Sequence, residues 1–292
     1  MPATLVAVVL FAALLHAGWN ALVKSGTDKF LSTTLVSGGA ALVALPLLPW
    51  LTPPLPASWP WMAASACCQV AYNRLLAAAY RHGDMSLAYP LMRGVAPLIV
   101  ALASLPLLGE RLAPAQLAAV ALICGGVLAM CLPRGRHAAA AMAGADHAAA
   151  RHAGRRAAGF ALLNAVVIAG YTMIDGIGVR RSGAPAAYTT WLFVLTAAGL
   201  LASAPGRWPE LPAYARRHAG VVLLGGAGSL ASYGLALWAM THAPVAAVAA
   251  LRETSIFFAA AIAVLFLRER LAPGRVAAVL LIACGAAVMR LA

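Results

Sequence analysis

The residues with the most chemistry in this chain are the few charged ones that interrupt its long apolar runs. An ionisable side chain in hydrocarbon costs at least about 2.5–3.5 kcal/mol on insertion scales, so one that persists marks a water-filled path or an internal ion pair. Arg93 and Arg252 are two such residues. Each carries a permanent charge on a planar fork that suits a carboxylate or a phosphate. Glu253 directly follows Arg252, and Asp175 lies one helical turn beyond Tyr171. A carboxylate buried among apolar groups can take up and release a proton, because burial disfavours its charged form. Glu253 is the first choice for such a proton carrier and Asp175 the second. A structural role competes with each of these: Arg93 or Arg252 pairs with Asp175 or Glu253 and locks the chain together, or Asp175 pairs with the neighbouring Arg180 and Arg181.

The remaining intramembrane polar groups fall into helical pairs. His16 and Asn20 are four apart and share a face, flanked by Trp19. Gln69 and Asn73 repeat the spacing, as do Tyr89 and Arg93, with Pro90 and Pro97 disturbing the backbone ladder between and beyond them. Proline inside a spanning helix is tolerated where a neighbour or a cavity satisfies the freed carbonyl groups. These residues, with Tyr171, Trp191, Tyr233 and Arg252, form a candidate cavity lining for a small molecule. Hydrogen bonds between helices account for Gln69 and Asn73 equally well. Trp50, Trp59, Trp61 and Trp208 read as interfacial belt residues, and Glu110 and Glu269 as local helix-end structure.

Enzymatic chemistry finds little support. There is no H-E-x-x-H, no G-x-S-x-G and no Gly-rich phosphate loop. Cys67, Cys68, Cys124, Cys131 and Cys284 form no C-x-x-C pair, so neither a zinc site nor a disulfide framework is expected. His137, His147 and His152 match no familiar ligand spacing. The sequence implies no metal and no cofactor.

The elements that must hold these residues follow from composition. The 292 residues are 63% hydrophobic and 10% charged, with mean hydropathy +0.87, against about 45–50% and about 25% in soluble domains. This excludes soluble and disordered chains and leaves an all-α polytopic membrane protein. Its partners are then the lipid bilayer and a small molecule; its oligomeric state is not set by the sequence. The net charge of +13 reads as loop-based topology control rather than nucleic-acid binding, since the basic residues sit in short loops. Apolar runs of about 20 residues, the length a spanning helix needs, lie near 3–24, 30–51, 59–81, 85–108, 113–132, 157–179, 186–205, 218–240, 244–267 and 273–291. The first lacks a basic n-region and a cleavage site and reads as a retained helix.

A hydrophilic Ala/Arg/His linker at 133–156 divides the chain into halves, 1–132 and 157–292. Gly109-Glu110-Arg111-Leu112-Ala113-Pro114 matches Arg268-Glu269-Arg270-Leu271-Ala272-Pro273 at an offset of 159, which also places Arg93 on Arg252 and Gly126 on Gly285. Five spans is an odd number, so the second half enters the membrane from the opposite side. The expected architecture is ten transmembrane helices as two inverted five-helix repeats, a recurrent transporter design with its site near the midplane.

His16-Ala17-Gly18-Trp19-Asn20, Tyr89-Pro90-Leu91 with Arg93-Gly94 and Ala96-Pro97-Leu98, and the Leu-Gly-Glu-Arg-Leu block at 108–112 with its copy at 267–271 resemble the EamA-type branch of the drug/metabolite transporter superfamily. So does the segment from Tyr171-Thr172 through Asp175-Gly176 to Gly178-Val179-Arg180. The resemblance covers nearly the whole chain outside the linker. It implies a ten-helix inner-membrane transporter of small metabolites, many members exporting amino acids or related compounds; a lipid or drug flippase on the same fold is the alternative. Proton coupling through Glu253 or Asp175 is the expected energy source. Two signals disagree on orientation. Fourteen basic residues fall in the odd loops and the linker against four on the opposite face, which by the positive-inside rule puts the odd loops and the linker in the cytoplasm, whereas the resemblance suggests cytoplasmic termini.

Overall fold

A computed structural model describes residues 1–24, 29–82, 85–131, 147–265, 268 and 272–292. His137, Glu269 and Arg270 lie outside the described residues, and so do the side chains of His147 and His152. The helices are α1 (Ala3–Lys24), α2 (Lys29–Ala44), α3 (Trp59–His82), α4 (Met85–Leu108), α5 (Pro114–Ala129), α6 (His147–Ser182), α7 (Pro185–Ala202), α8 (Glu210–Arg217), α9 (Ala219–Met240), α10 (Val245–Arg252), α11 (Ser255–Leu265) and α12 (Pro273–Leu291). Among the described residues eight stretches are long and apolar enough to cross a membrane, with α10 and α11 together forming one of them. The protein is an all-helical, multi-pass membrane protein. α5, at 16 residues, is apolar but shorter, and α3, at 24 residues, is long but diluted by Gln69, Asn73, Arg74 and Arg81.

Three features depart from the expected boundaries. α2 tightens into a 3-10 segment at Leu45–Trp50, where Pro46 and Pro49 remove backbone donors. The hydrophilic linker is helical from His147 and runs unbroken into α6, which reaches 36 residues, about 54 Å at 1.5 Å per residue. The ninth run is broken after Arg252. There the Glu253 and Thr254 N–H groups bond to Ala250 and Leu251, the i→i−3 pattern of a tightened turn, and the Thr254 hydroxyl donates to the Leu251 carbonyl at 2.7 Å. Such a tight turn within a helix often marks a functional position.

Small residues bring the helices close. A Cβ added at Gly126 on α5 would lie 2.8 Å from the Ala278 carbonyl oxygen and from Ile282 on α12; one at Gly285 on α12 would lie 2.6 Å from Ile123 and 2.9 Å from the Ala119 carbonyl oxygen on α5. All three residues on one side of this contact sit 159 positions from their counterparts on the other. Gly39 and Gly226 allow an equally close crossing of α2 and α9. Without a hydrophobic force between helices in lipid, such close approach is a main source of association.

The pairings recur in exchanged form. α1 packs on α9 and α6 on α3; α4 packs on α6, and α10 and α11 on α1; α2 packs on α9 and α7 on α3; α5 pairs with α12 and α2 with α7. Exchanging the first five helices with α6, α7, α9, the α10–α11 unit and α12 maps this set onto itself. The backbone repeats too: Gly109 and Arg268, 159 apart, both adopt positive φ, 68° and 53°.

Candidate functional site

Arg93 sits mid-way along α4, where Pro97 has no N–H to give its carbonyl. Arg252 and Glu253 sit at the broken turn between α10 and α11, which presents consecutive side chains to the same region. These three, with Ala96, Pro97 and Val100 of α4, Ile168, Tyr171 and Thr172 of α6, and Ala249 of α10, line one internal cavity. The two arginines that the repeat equates therefore meet in one place, from different halves of the chain.

Arg93 is 8% exposed and Glu253 5%. Arg93 Nε lies 2.8 Å from Glu253 Oε2, yet neither atom has an aligned hydrogen bond, and Arg93 Nη2 is buried with no partner. Proximity and charge hold this pair, and part of the guanidinium donor set is unused. Arg252 is half-buried and has no carboxylate in ion-pair range among the described residues. Its guanidinium carbon instead lies 4.8 Å from the centre of the Tyr233 ring, a cation–π contact. The Tyr233 hydroxyl donates to Asp175 Oδ2 at 2.5 Å, and the Tyr188 hydroxyl donates to Asp175 Oδ1 at 2.9 Å. Asp175 is completely buried, and Ser65 of α3 faces it as well. A chain of contacts thus runs from Arg252 through Tyr233 to a carboxylate beyond the cavity wall.

The other sequence candidates are placed as follows. His16 faces the region of Arg93 and Arg252 and stands edge-on to Trp19, centroids 5.1 Å apart. Trp19 Nε1 is buried without a partner. The Asn20 amide donates to the His16 carbonyl at 2.8 Å and the Asn73 amide to the Gln69 carbonyl at 2.8 Å, both within their own helices; Asn73 Oδ1 stays unpartnered. Tyr89 lies beside the Arg93–Glu253 pair. Trp191 packs against Trp59, centroids 5.3 Å apart, and does not line the arginine cavity. Asp175 pairs with neither neighbouring arginine: Arg181 lies over the Trp61 ring, and Arg180 goes to Glu110.

That last contact was hidden from the sequence. Glu110 acts on remote helix ends rather than on its own. Its Oε1 accepts from Arg180 Nη2 at 2.6 Å, and its Oε2 accepts from the Val245 N–H at 2.8 Å. Arg180 also donates to the carbonyls of Met240 at 2.8 Å and Ala243 at 2.9 Å. The block after α4 is thereby clasped to the ends of α6 and α9 and to the first turn of α10, where a carboxylate satisfies an orphan N–H and complements the helix dipole.

A family model described as the EamA-like transporter family matches residues 3–132 and 155–291. The chain belongs to the EamA-like transporter family. No curated protein matches it. A solved structure, described only as "Crystal structure of protein", is similar to this EamA-like chain with TM-score 0.74 and 19% identity, over 99% of this chain and 96% of that one. At that identity the likeness concerns the fold alone.

Proposed function

We propose that this EamA-like protein is a secondary-active exporter of a small metabolite, such as an amino acid or a related compound, working by alternating access and catalysing no covalent chemistry. One observation carries the reading: Arg93 and Arg252, equivalent positions of the two halves, line a single cavity, with Glu253 against Arg93. Arginines inside a bilayer protein are costly unless they face a wet path or a counter-charge; Arg93 has its counter-charge in Glu253, and Arg252, without one in ion-pair range among the described residues, points to the path. Ten spans in two inverted five-helix repeats, residues 1–132 and 157–292 joined by the linker, fit the exchanged helix pairings and the shared 159-residue offset. In this reading the two halves rock against each other about the α5–α12 and α2–α7 contacts. The Glu110–Arg180 clasp closes the even-loop face. The charge bias puts the odd loops and the linker in the cytoplasm of a cell with an inner (plasma) membrane location. His16, Trp19, Asn20, Asn73, Tyr89, Tyr171 and Tyr233 shape or flank the path, while Glu253 and Asp175 carry coupling protons.

The test is a comparison of small metabolites in medium and cytosol between overexpressing and deleted cells. A compound enriched in the medium by overexpression, and no longer enriched with Arg93→Ala or Arg252→Ala protein that still inserts, is the expected result. Equal profiles in all strains would remove the transport reading.

A further inference from the structure

Resting on the transport reading above, we infer that the cavity takes a small organic monocarboxylate, and that Asp175 takes up a proton whenever the anion binds. The cavity lining carries more cation than anion. Arg93 Nη2 has no hydrogen-bond partner, and Arg252 has no carboxylate within ion-pair distance among the described residues. Glu253, the carboxylate in the lining, is already engaged by Arg93 at 2.8 Å. The lining therefore holds two guanidinium groups against one carboxylate, an excess of positive charge that favours a carboxylate over an ammonium group. The rest of the wall is small and largely apolar (Ala96, Pro97, Val100, Ile168, Ala249) with Tyr171 and Thr172 as polar exceptions; its volume of about 20 Å³ is room for a water, so an organic anion enters only as the surrounding helices part.

Charge counting supplies the second half. Arg93 and Arg252 balance Glu253 and an ionised Asp175, with His16 counted as neutral, so the empty site carries no net charge. A bound monoanion leaves one uncompensated negative charge in a low-dielectric interior, a costly state. Protonation of Asp175 removes it. The groups facing Asp175 are Tyr188 of α7 and Tyr233 of α9, Ser65 and Cys68 of α3, Tyr171 on its own helix and Arg252 of α10. None of them except Arg252 carries charge at neutral pH, and Arg252 is the residue the anion would engage. When the substrate carboxylate occupies Arg252, the same cation no longer serves Asp175 alone. The proton comes from water; one carboxylate oxygen then becomes a hydroxyl donor, and the tyrosine bonded to it turns from donor to acceptor. Tyr233 links the two events, since its hydroxyl bonds Asp175 and its ring carries the Arg252 guanidinium.

The test uses the purified full-length protein with L-lactate, pyruvate and glycerate as monocarboxylate probes and L-alanine as the zwitterion. Binding is followed by tryptophan fluorescence between pH 5 and pH 8, and proton uptake by a trapped pH dye in proteoliposomes against protein-free vesicles. At least one monocarboxylate is expected to bind, its affinity falling about tenfold per pH unit above the Asp175 titration, with about one proton entering per anion. Asp175→Asn, a fixed neutral side chain, is expected to bind the same anion with no pH dependence. Tyr233→Phe, which keeps the ring under Arg252 and removes the hydroxyl, serves if Asp175→Asn fails to fold, and is expected to flatten the slope. Binding of alanine without any monocarboxylate, or a wild-type affinity independent of pH, overturns the inference. So does a pH slope unaltered in both variants. In each of these cases the metabolite comparison in cells still decides separately whether the protein is an exporter.

Discussion

Replacing Glu253 by Gln removes the negative member of a buried pair and leaves Arg93 charged, 8% exposed, with unused donors already in the wild type. Breaking a buried ion pair from one side costs about 3–5 kcal/mol, because the remaining charge is stranded. At about 1.4 kcal/mol per tenfold, this corresponds to roughly two to three and a half orders of magnitude in the unfolding equilibrium. Arg93→Met should cost a similar amount by stranding Glu253. The double variant should cost clearly less than the sum, since apolar replacement of a whole buried pair is often nearly neutral. Reversible denaturant unfolding of the four proteins in mixed micelles gives the coupling energy as a double-mutant cycle. Single losses below about 1 kcal/mol with zero coupling would mean that the 2.8 Å approach carries no energy, and the ion-pair account of this cavity would fail.

Two further outcomes follow from packing and from the clasp. Gly126→Leu and Gly285→Leu should each destabilise by about 1–3 kcal/mol or more through overpacking, and by similar amounts, because each glycine meets an isoleucine and an alanine carbonyl on the facing helix; a marked inequality in the same unfolding assay would contradict the two-fold character of the α5–α12 contact. Glu110→Arg and Arg180→Glu should each reduce export in cells. The charge-swapped double variant should recover it in part only, since a guanidinium in place of the Glu110 carboxylate cannot accept the Val245 N–H; unaltered export in either single variant would leave the clasp without a transport role.

Features set by short-range physics are legible in the sequence. Apolar run length locates the helices, proline and glycine mark most of the breaks, and the 159-residue offset picks out Gly126 and Gly285, which make matched contacts, and Arg93 and Arg252, which line one cavity with different partners. Features that depend on distant partners are not legible there. Nothing local distinguishes Glu110 as the cap of α10, 135 residues away, from a carboxylate serving its own helix end. Asp175 had a plausible neighbour in Arg180, and only the helix packing reveals that Tyr188 and Tyr233 reach it instead. Trp191 carried the same signal as Tyr233, an aromatic in an apolar run, and packing sent one to Trp59 and the other to Asp175. Asn164, fully buried on α6 beside Met92, was passed over although a lone amide in an apolar run was legible; no role for it follows from its contacts. Helix from His147 onward is not legible in the sequence, because alanine and arginine suit a hydrated linker and a helix equally.

The most direct measurement is the reactivity of a cavity thiol towards membrane-impermeant reagents. Thr172, buried in the cavity wall, is replaced by Cys in a protein whose five native cysteines have been exchanged for Ser or Ala, and sealed vesicles of both orientations are labelled. Alternating access predicts modification from either face, with substrate protecting in both cases and conditions that raise labelling from one face lowering it from the other. Modification from a single face under every condition would contradict a site shared by two alternately opening halves.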